Sequence, residues 1–224
     1  AQRGGRPGGL EEREIVAQHQ RDPIAAAHPQ CPQSFRRAQC ALGQFGAGQY
    51  WSAFMDPDVF PNSIEYWGPN GMVFFRNFQL RYTPVSGDNS FAIALERPGA
   101  SGDPGVRVDD PVAADLKGRF PLPDLTAQYR HSADWGHYQV AGILRYAEID
   151  DLDPTPTDDS DSILGWGLNL STNVRIDRDT LKLQLVFGEA IQNYMNDGSV
   201  DIGATAPGNS KLAEELPIVG LVAF

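Results

Sequence analysis

The stretch Ser162–Ile191, SILGWGLNLSTNVRIDRDTLKLQLVFGEAI, reads as two long β-strands joined by a very short turn. On its first arm Leu164, Trp166, Leu168, Leu170, Val174 and Ile176 share one parity, and Gly165, Gly167, Asn169, Ser171, Asn173 and Arg175 share the other. On the second arm Leu181, Leu183, Leu185 and Phe187 alternate with Lys182, Gln184 and Gly188. Sustained period-two alternation makes a strand with one apolar and one polar face. Soluble strands average roughly 5–6 residues, whereas a strand crossing a bilayer at a tilt needs about 9–11. The length of these arms favours a membrane barrel over a soluble sandwich.

The same plan extends in both directions. Phe78, Leu80 and Tyr82 oppose Asn77, Gln79 and Arg81; Phe91, Ile93 and Leu95 oppose Ala92, Ala94 and Glu96; Tyr138, Val140, Leu144 and Tyr146 oppose Gln139, Ala141 and Arg145. A strand over Asp115–His131 is interrupted by Pro121 and Pro123, which predicts a bulge and a change of parity there. Lys117 and Arg119 before the prolines are thereby placed on the same polar face as Thr126, Gln128 and Arg130 after them. Long connections at 55–72, 98–114, 149–161 and 189–215 alternate with short ones at 85–89, 132–134 and 177–179. Bacterial barrels have short turns at one end and long loops at the other. Aromatic residues such as Tyr82, Tyr138, Tyr146 and Phe187 sit toward strand ends on the apolar face, as interfacial girdles do.

Composition is compatible with this reading. No run approaches the 18 apolar residues of a spanning helix, and a mean hydropathy of -0.35 says little about barrels, whose strands expose only alternate residues to lipid. The net charge of -11 argues against a nucleic-acid partner. Residues 1–42 lack alternation and read as a disordered or non-native extension, without the continuous apolar core of a signal peptide; the barrel segment is expected over 43–224. Cys31 and Cys40 lie at the end of that extension, where they can pair in an oxidising compartment; with His19 and His28 they match no zinc spacing.

The runs GQFGAGQYWSAFMDPDVFPNSIEYWGPNGMVFFRNFQLRYTP from Gly43, FAIALERPGASGD from Phe91, KGRFPLPDLTAQYRHSADWGHYQVAGILR from Lys117, GWGLNLSTN from Gly165 and GEAIQNYMND from Gly188 resemble the DcaP-like outer-membrane porins of Gram-negative bacteria. The resemblance covers Gly43 to Phe224. It implies an antiparallel up-and-down transmembrane β-barrel, of which about eight strands are present, and a homotrimer with a pore in each subunit. It also implies contact with outer-membrane lipid and lipopolysaccharide. Residues 1–42 depart from the family where earlier barrel strands are expected. An eight-stranded piece closed on itself is largely filled by side chains, so it is expected not to conduct alone.

The chemistry expected of the chain is that of a pore. Gln79, Arg81, Lys117, Arg119, Arg130, Arg145, Arg175 and Lys182 are expected to line a basic lumen, with Glu96 the clearest acid. The four long connections hold 17 acidic residues against two basic ones, Arg107 and Lys211, so the two signs are segregated. Rings of Arg and Lys lower the barrier for anions, which points to passive diffusion of small anionic solutes such as carboxylates. The Trp/Tyr/Asp-rich connection Met55–Gly71 is the candidate constriction loop. Its Asp56, Asp58 and Glu65, beside Trp67, are expected either to face the basic residues across an eyelet or to lie on a surface loop. The acidic tract DDLDPTPTDDSD lacks the Gly-centred spacing of an EF-hand and reads as a solvated loop. No cofactor or metal is expected, and no nucleophile elbow, phosphate loop or zinc-protease motif suggests an enzyme. His131 and His137 flank a short turn and are expected to be solvated. The alternative is a soluble β-sandwich binding module whose acidic loops take a cation or carbohydrate; it requires a second sheet over Leu164, Trp166, Leu168, Leu170 and Leu183. An eight-stranded barrel that only anchors the envelope would share the strands without a conductance.

Overall fold

A computed structural model describes residues 35–40, 42–62, 69–99, 102–103, 116–151, 161–205 and 213–224, all within the compact unit Ser34–Phe224. Its strands are β1 (Arg36–Cys40), β2 (Gly43–Trp51), β3 (Arg76–Val85), β4 (Asn89–Glu96), β5 (Gly102–Asp103), β6 (Leu116–Arg119), β7 (Asp124–Ala133), β8 (Gly136–Asp151), β9 (Asp161–Ile176), β10 (Asp179–Glu189), β11 (Ile202–Ala204), β12 (Ala213–Glu215) and β13 (Pro217–Ala223). Single 3-10 turns lie at Pro57–Val59 and Gln192–Tyr194, and the described residues contain no α-helix.

The main sheet runs β1-β2-β3-β4-β7-β8-β9-β10-β13, every pairing antiparallel, with β6 added to β8 beyond the end of β7. It is an open up-and-down sheet whose edges, β1 and β13, do not meet. The sheet starts earlier than the alternation suggested: Arg36–Cys40, inside the expected extension, pairs with Gly43–Ala47. β8 and β9 are 16 residues each, longer than a soluble sheet requires. The β9–β10 turn keeps the register Ile176↔Asp179 by placing Asp177 at φ 58°, a left-handed conformation that Asp tolerates better than most residues. The β7–β8 turn uses Gly136 at φ 137°, where a Cβ would stand 1.8 Å from the Asn173 carbonyl oxygen.

The register corrects the expectation at the prolines. Arg119 pairs with Glu148 and Leu125 with Leu144, so residues 120–124 stand opposite only 145–147. An insertion of two residues leaves the parity unchanged, whereas a bulge of one would have reversed it. Residues directly opposite share a face. Arg119 therefore lies on the side of Glu148, Tyr146 and Leu144, away from Arg130 and Arg145. Lys117, described here by its backbone, takes the register position opposite Asp150.

Burial across the sheet is inverted relative to a water-soluble protein. The polar face is covered: Gln79, Thr126, Gln139, Asn169 and Ser171 are buried and Gln184 is 1% exposed. The apolar face is open: Leu80 is 62% exposed, Leu144 53%, Leu164 60% and Leu221 71%. Segments 52–62, 69–75 and 190–205 lie against the polar face and carry most of the large buried side chains, including Phe54, Met55, Met72, Ile191 and Tyr194. A small second sheet, β12-β11-β5, belongs to the same side; its Ile202 and Ala213 pack on Ile149, Ile163 and Ala190. Aromatic pairs join strands on the apolar face, Phe45 with Tyr82 at 4.6 Å and Trp166 with Phe187 at 6.2 Å between centroids.

Candidate functional site: the segment folded onto the polar face

Ser52–Asn62 leaves β2 and crosses β4, β7, β8, β9 and β10, and hydrogen bonds hold it along its length. At its start Ser52 Oγ and the Ala53 amide donate to Glu96 Oε1 at 3.0 and 2.9 Å, and Thr126 Oγ1 donates to the same oxygen at 2.6 Å. In the middle Asn169 Nδ2 donates to the Phe54 carbonyl at 2.7 Å and Gln139 Nε2 to that of Met55 at 3.0 Å. At its end Asn173 Nδ2 donates to the Asp58 carbonyl at 3.3 Å, and Lys182 Nζ donates to the carbonyl of Phe60 and, at 3.2 Å, to Asn62 Oδ1. A polar sheet face thus supplies the partners that an irregular buried backbone requires.

Asp56 is the centre of this anchor. It is wholly buried, caps the 3-10 turn by accepting from the Asp58 amide at 3.1 Å, and accepts from Ser171 Oγ at 2.6 Å. His137 Nε2 lies 2.8 Å from Asp56 Oδ2, and Arg130 Nη1 donates to Asp56 Oδ1 at 3.4 Å while Nη2 of the same residue pairs with Asp58. Burial pushes the Asp56 carboxyl up, but His137, Arg130 and Ser171 more than offset that and hold it below the usual range. Asp56, Asp58 and His137 offer three ligand atoms within 4.8 Å of one another, a possible cation cage. Arg130 already supplies positive charge at that point, so the geometry is that of an ion-paired anchor.

A second network surrounds Arg145. Its Nε donates to Asp124 Oδ2 and its Nη1 to Asp201 Oδ1, both at 3.0 Å, and its remaining donors reach the carbonyls of Ala190 and Gly99. The Tyr194 hydroxyl donates to Asp124 Oδ2 at 2.9 Å, and its ring centroid is 5.1 Å from the Arg145 guanidinium carbon. Burial, reinforced by Glu96 and Asp124, pushes the Tyr194 hydroxyl well above its ordinary range, so it remains a donor.

The residues expected to line a lumen therefore divide. Gln79, Arg81, Arg130, Arg145, Arg175 and Lys182 share the polar face; Arg119 does not. Gln79 and Arg81 serve the β2 end: Gln79 Nε2 donates to the carbonyls of Tyr50 and Trp51, and Arg81 to Gln79 Oε1 at 2.9 Å and the Trp51 carbonyl at 2.7 Å. Arg175 is exposed beside the turn and donates to the Asp134 carbonyl at 3.2 Å. Asp56 and Asp58 meet Arg130 directly, with no gap across which an eyelet field would act. Glu65, Trp67, Cys31, His19, His28 and residues 152–160 lie outside the described residues. Cys40 carries an exposed free thiol.

His137 was expected in solvent and is instead buried against Asp56. Its odd number, in phase with Gln139 and Arg145, is the signal that placed it on the polar face. Ser171 and Asn169 are assigned the same way, but no pattern announces their partners, more than a hundred residues away in the chain. No protein-family model matches this chain, and neither does any curated protein or solved structure.

Proposed function

We propose that this chain is a section of an outer-membrane β-barrel and serves a channel for passive diffusion of small anionic solutes such as carboxylates. The observation that carries the proposal is the inverted burial, with a polar face covered by inward segments and an apolar face left open along strands long enough to span. Lipid is the solvent that stabilises such a face; in water its exposed leucines would be costly. A β-sandwich would cover Leu164 and Trp166 with a second sheet, and both are exposed, while the small second sheet sits on the opposite side.

In this reading the polar face is the lumen wall and 52–62 is its constriction. Outer-membrane lipid and lipopolysaccharide meet the apolar face, and a homotrimer is the assembly. The two edges of the sheet are joined by further strands or by neighbouring copies. The lumen is less basic than a count of its side chains suggests, because Arg130 and Arg145 are ion-paired with Asp56, Asp58, Asp124 and Asp201. Selectivity then rests on the cations without carboxylate partners among the described residues.

The test is planar-bilayer conductance and reversal potential of the reading frame that contains this chain, folded in detergent. Anion-selective current that weakens on Arg81→Gln is expected. Folded protein that remains a water-soluble monomer without detergent and forms no channel overturns the proposal.

A further inference from the structure

The wall formed by β1, β2 and β3 carries an arrangement separate from the Asp56 and Arg145 networks. Phe35 stacks on Tyr50 with ring centroids 4.8 Å apart and planes 24° apart. The Arg37 guanidinium carbon lies 5.1 Å from the Tyr50 centroid and 5.5 Å from that of Phe35. The Arg81 guanidinium carbon lies 5.2 Å from the Tyr50 centroid. Two guanidinium groups thus share one aromatic platform and stand within about 10 Å of each other.

The register puts Arg37, Tyr50 and Arg81 on the polar face. Gly46 pairs with Arg37 on one side and Arg81 on the other, and Tyr50, two steps of two further along β2, follows the same parity. Gly46 is what lets the platform form, because a Cβ there would stand 2.1 Å from Phe35 Cζ. Among the described residues no carboxylate pairs with Arg37 or Arg81. Arg81 uses Nε and Nη2 on Gln79 and Trp51 and keeps Nη1; the Arg37 side chain is exposed.

We infer that Arg37, Arg81 and the Phe35–Tyr50 pair form the carboxylate-selecting subsite of this face. The inference rests on the channel reading and locates its selectivity. A guanidinium presents two parallel N–H groups that match the two oxygens of a carboxylate, which a halide ion cannot use. The aromatic platform holds both cations in place without neutralising them, unlike the carboxylates that hold Arg130 and Arg145. A solute here exchanges water for charge-assisted hydrogen bonds at a partly hydrated site, so it binds weakly and leaves readily, as conduction requires.

Arginine labelling by phenylglyoxal, mapped by mass spectrometry on the detergent-folded chain, tests this without requiring a conductance. Sodium acetate is compared with sodium chloride at matched ionic strength. Acetate is expected to slow labelling of Arg37 and Arg81 about two- to fivefold, the range set by an exposed ion pair, and to leave Arg175 unchanged. Tyr50→Leu, with strand content confirmed by circular dichroism, is expected to abolish the difference. Equal rates in the two salts, or equal slowing at Arg37, Arg81 and Arg175, overturn the inference. A protein that conducts anions yet shows no protection loses this subsite alone; protection in a protein that forms no channel leaves the subsite and removes the channel.

Discussion

Two leucines on the apolar face separate lipid from water as its solvent. Leu144 and Leu164 are 53% and 60% exposed, and Leu164 stands directly opposite Tyr146 while Leu144 is two residues further down the same strand pair. With Tyr138 and Tyr146 as the two girdle positions on β8, about 3.3 Å of rise per residue and a tilt near 40° put them roughly 20 Å apart along the membrane normal. Leu164 then lies at the girdle and Leu144 about 5 Å inside it. Arginine costs roughly 2–4 kcal/mol at the midplane of a barrel and about 0–1 kcal/mol at the interface. Leu144→Arg is accordingly expected to cost about 2 kcal/mol, close to a thirtyfold change in the folding equilibrium, and Leu164→Arg less than about 1 kcal/mol. In water both changes occur at similarly exposed positions and stay within about 0.5 kcal/mol. Denaturant titration of the chain refolded into phospholipid vesicles, followed by tryptophan emission, gives both values. Equal costs for the two variants would refute the lipid assignment of this face.

Two further predictions concern the covered face. Arg145→Met removes the guanidinium that pairs with the buried Asp124 and Asp201, and removing one partner of such a set costs about 3–5 kcal/mol; the same titration reads it, and adding Asp124→Asn and Asp201→Asn is expected to restore much of the loss. Asp56 has a folded carboxyl pKa below its unfolded value of about 3.9. Its contribution is therefore fully present above that value and is lost as pH falls through the folded pKa. Stability is expected to drop on acidification below about pH 4, with the Asp56-dependent part absent in Asp56→Asn.

The sheet was legible because each of its strands obeys one rule at a time. Leu164 to Ile176 alternate with Thr172 as the one polar residue on the apolar parity, and a strand with one apolar and one polar face leaves a period of two in the sequence. RRAQC has no apolar alternation, so nothing in its sequence marked β1, which among the described residues lies at the margin of the sheet. The proline break misled for a different reason. A one-residue and a two-residue insertion look alike in sequence, yet only the first reverses the faces, and Arg119 was misplaced by that step. The composition of the loops left Asp56 and Asp58 two places, across an eyelet from the basic residues or on a surface loop, and named no partner for either. Asp56 and Asp201 became counter-ions of Arg130 and Arg145 through contacts 74 and 56 residues apart. Separations of that size are set by which connection folds inward, and the local pattern does not encode that choice.

That choice has a consequence for where a solute would travel. Segment 52–62 is fastened at its middle and end to β8, β9 and β10 through Gln139, Asn169, Ser171 and Lys182, and 190–205 is fastened to Arg145 on β8. Both fill the same side of the polar face. On β2 the positions of that face are Gln44, Gly46, Gly48 and Tyr50, two of them without side chains, and among the described residues no inward segment is hydrogen-bonded to β1. The acids that entered with the loops pair with Arg130 and Arg145 on the filled side, and among the described residues no carboxylate forms an ion pair with Arg37 or Arg81 on the other. In the channel reading, Arg37 and Arg81, which have no ion-pair partner among the described residues, therefore place positive charge along β1–β3. Anion selectivity then requires no excess of basic residues over the whole chain, which is why a protein with a net charge of -11 can carry it.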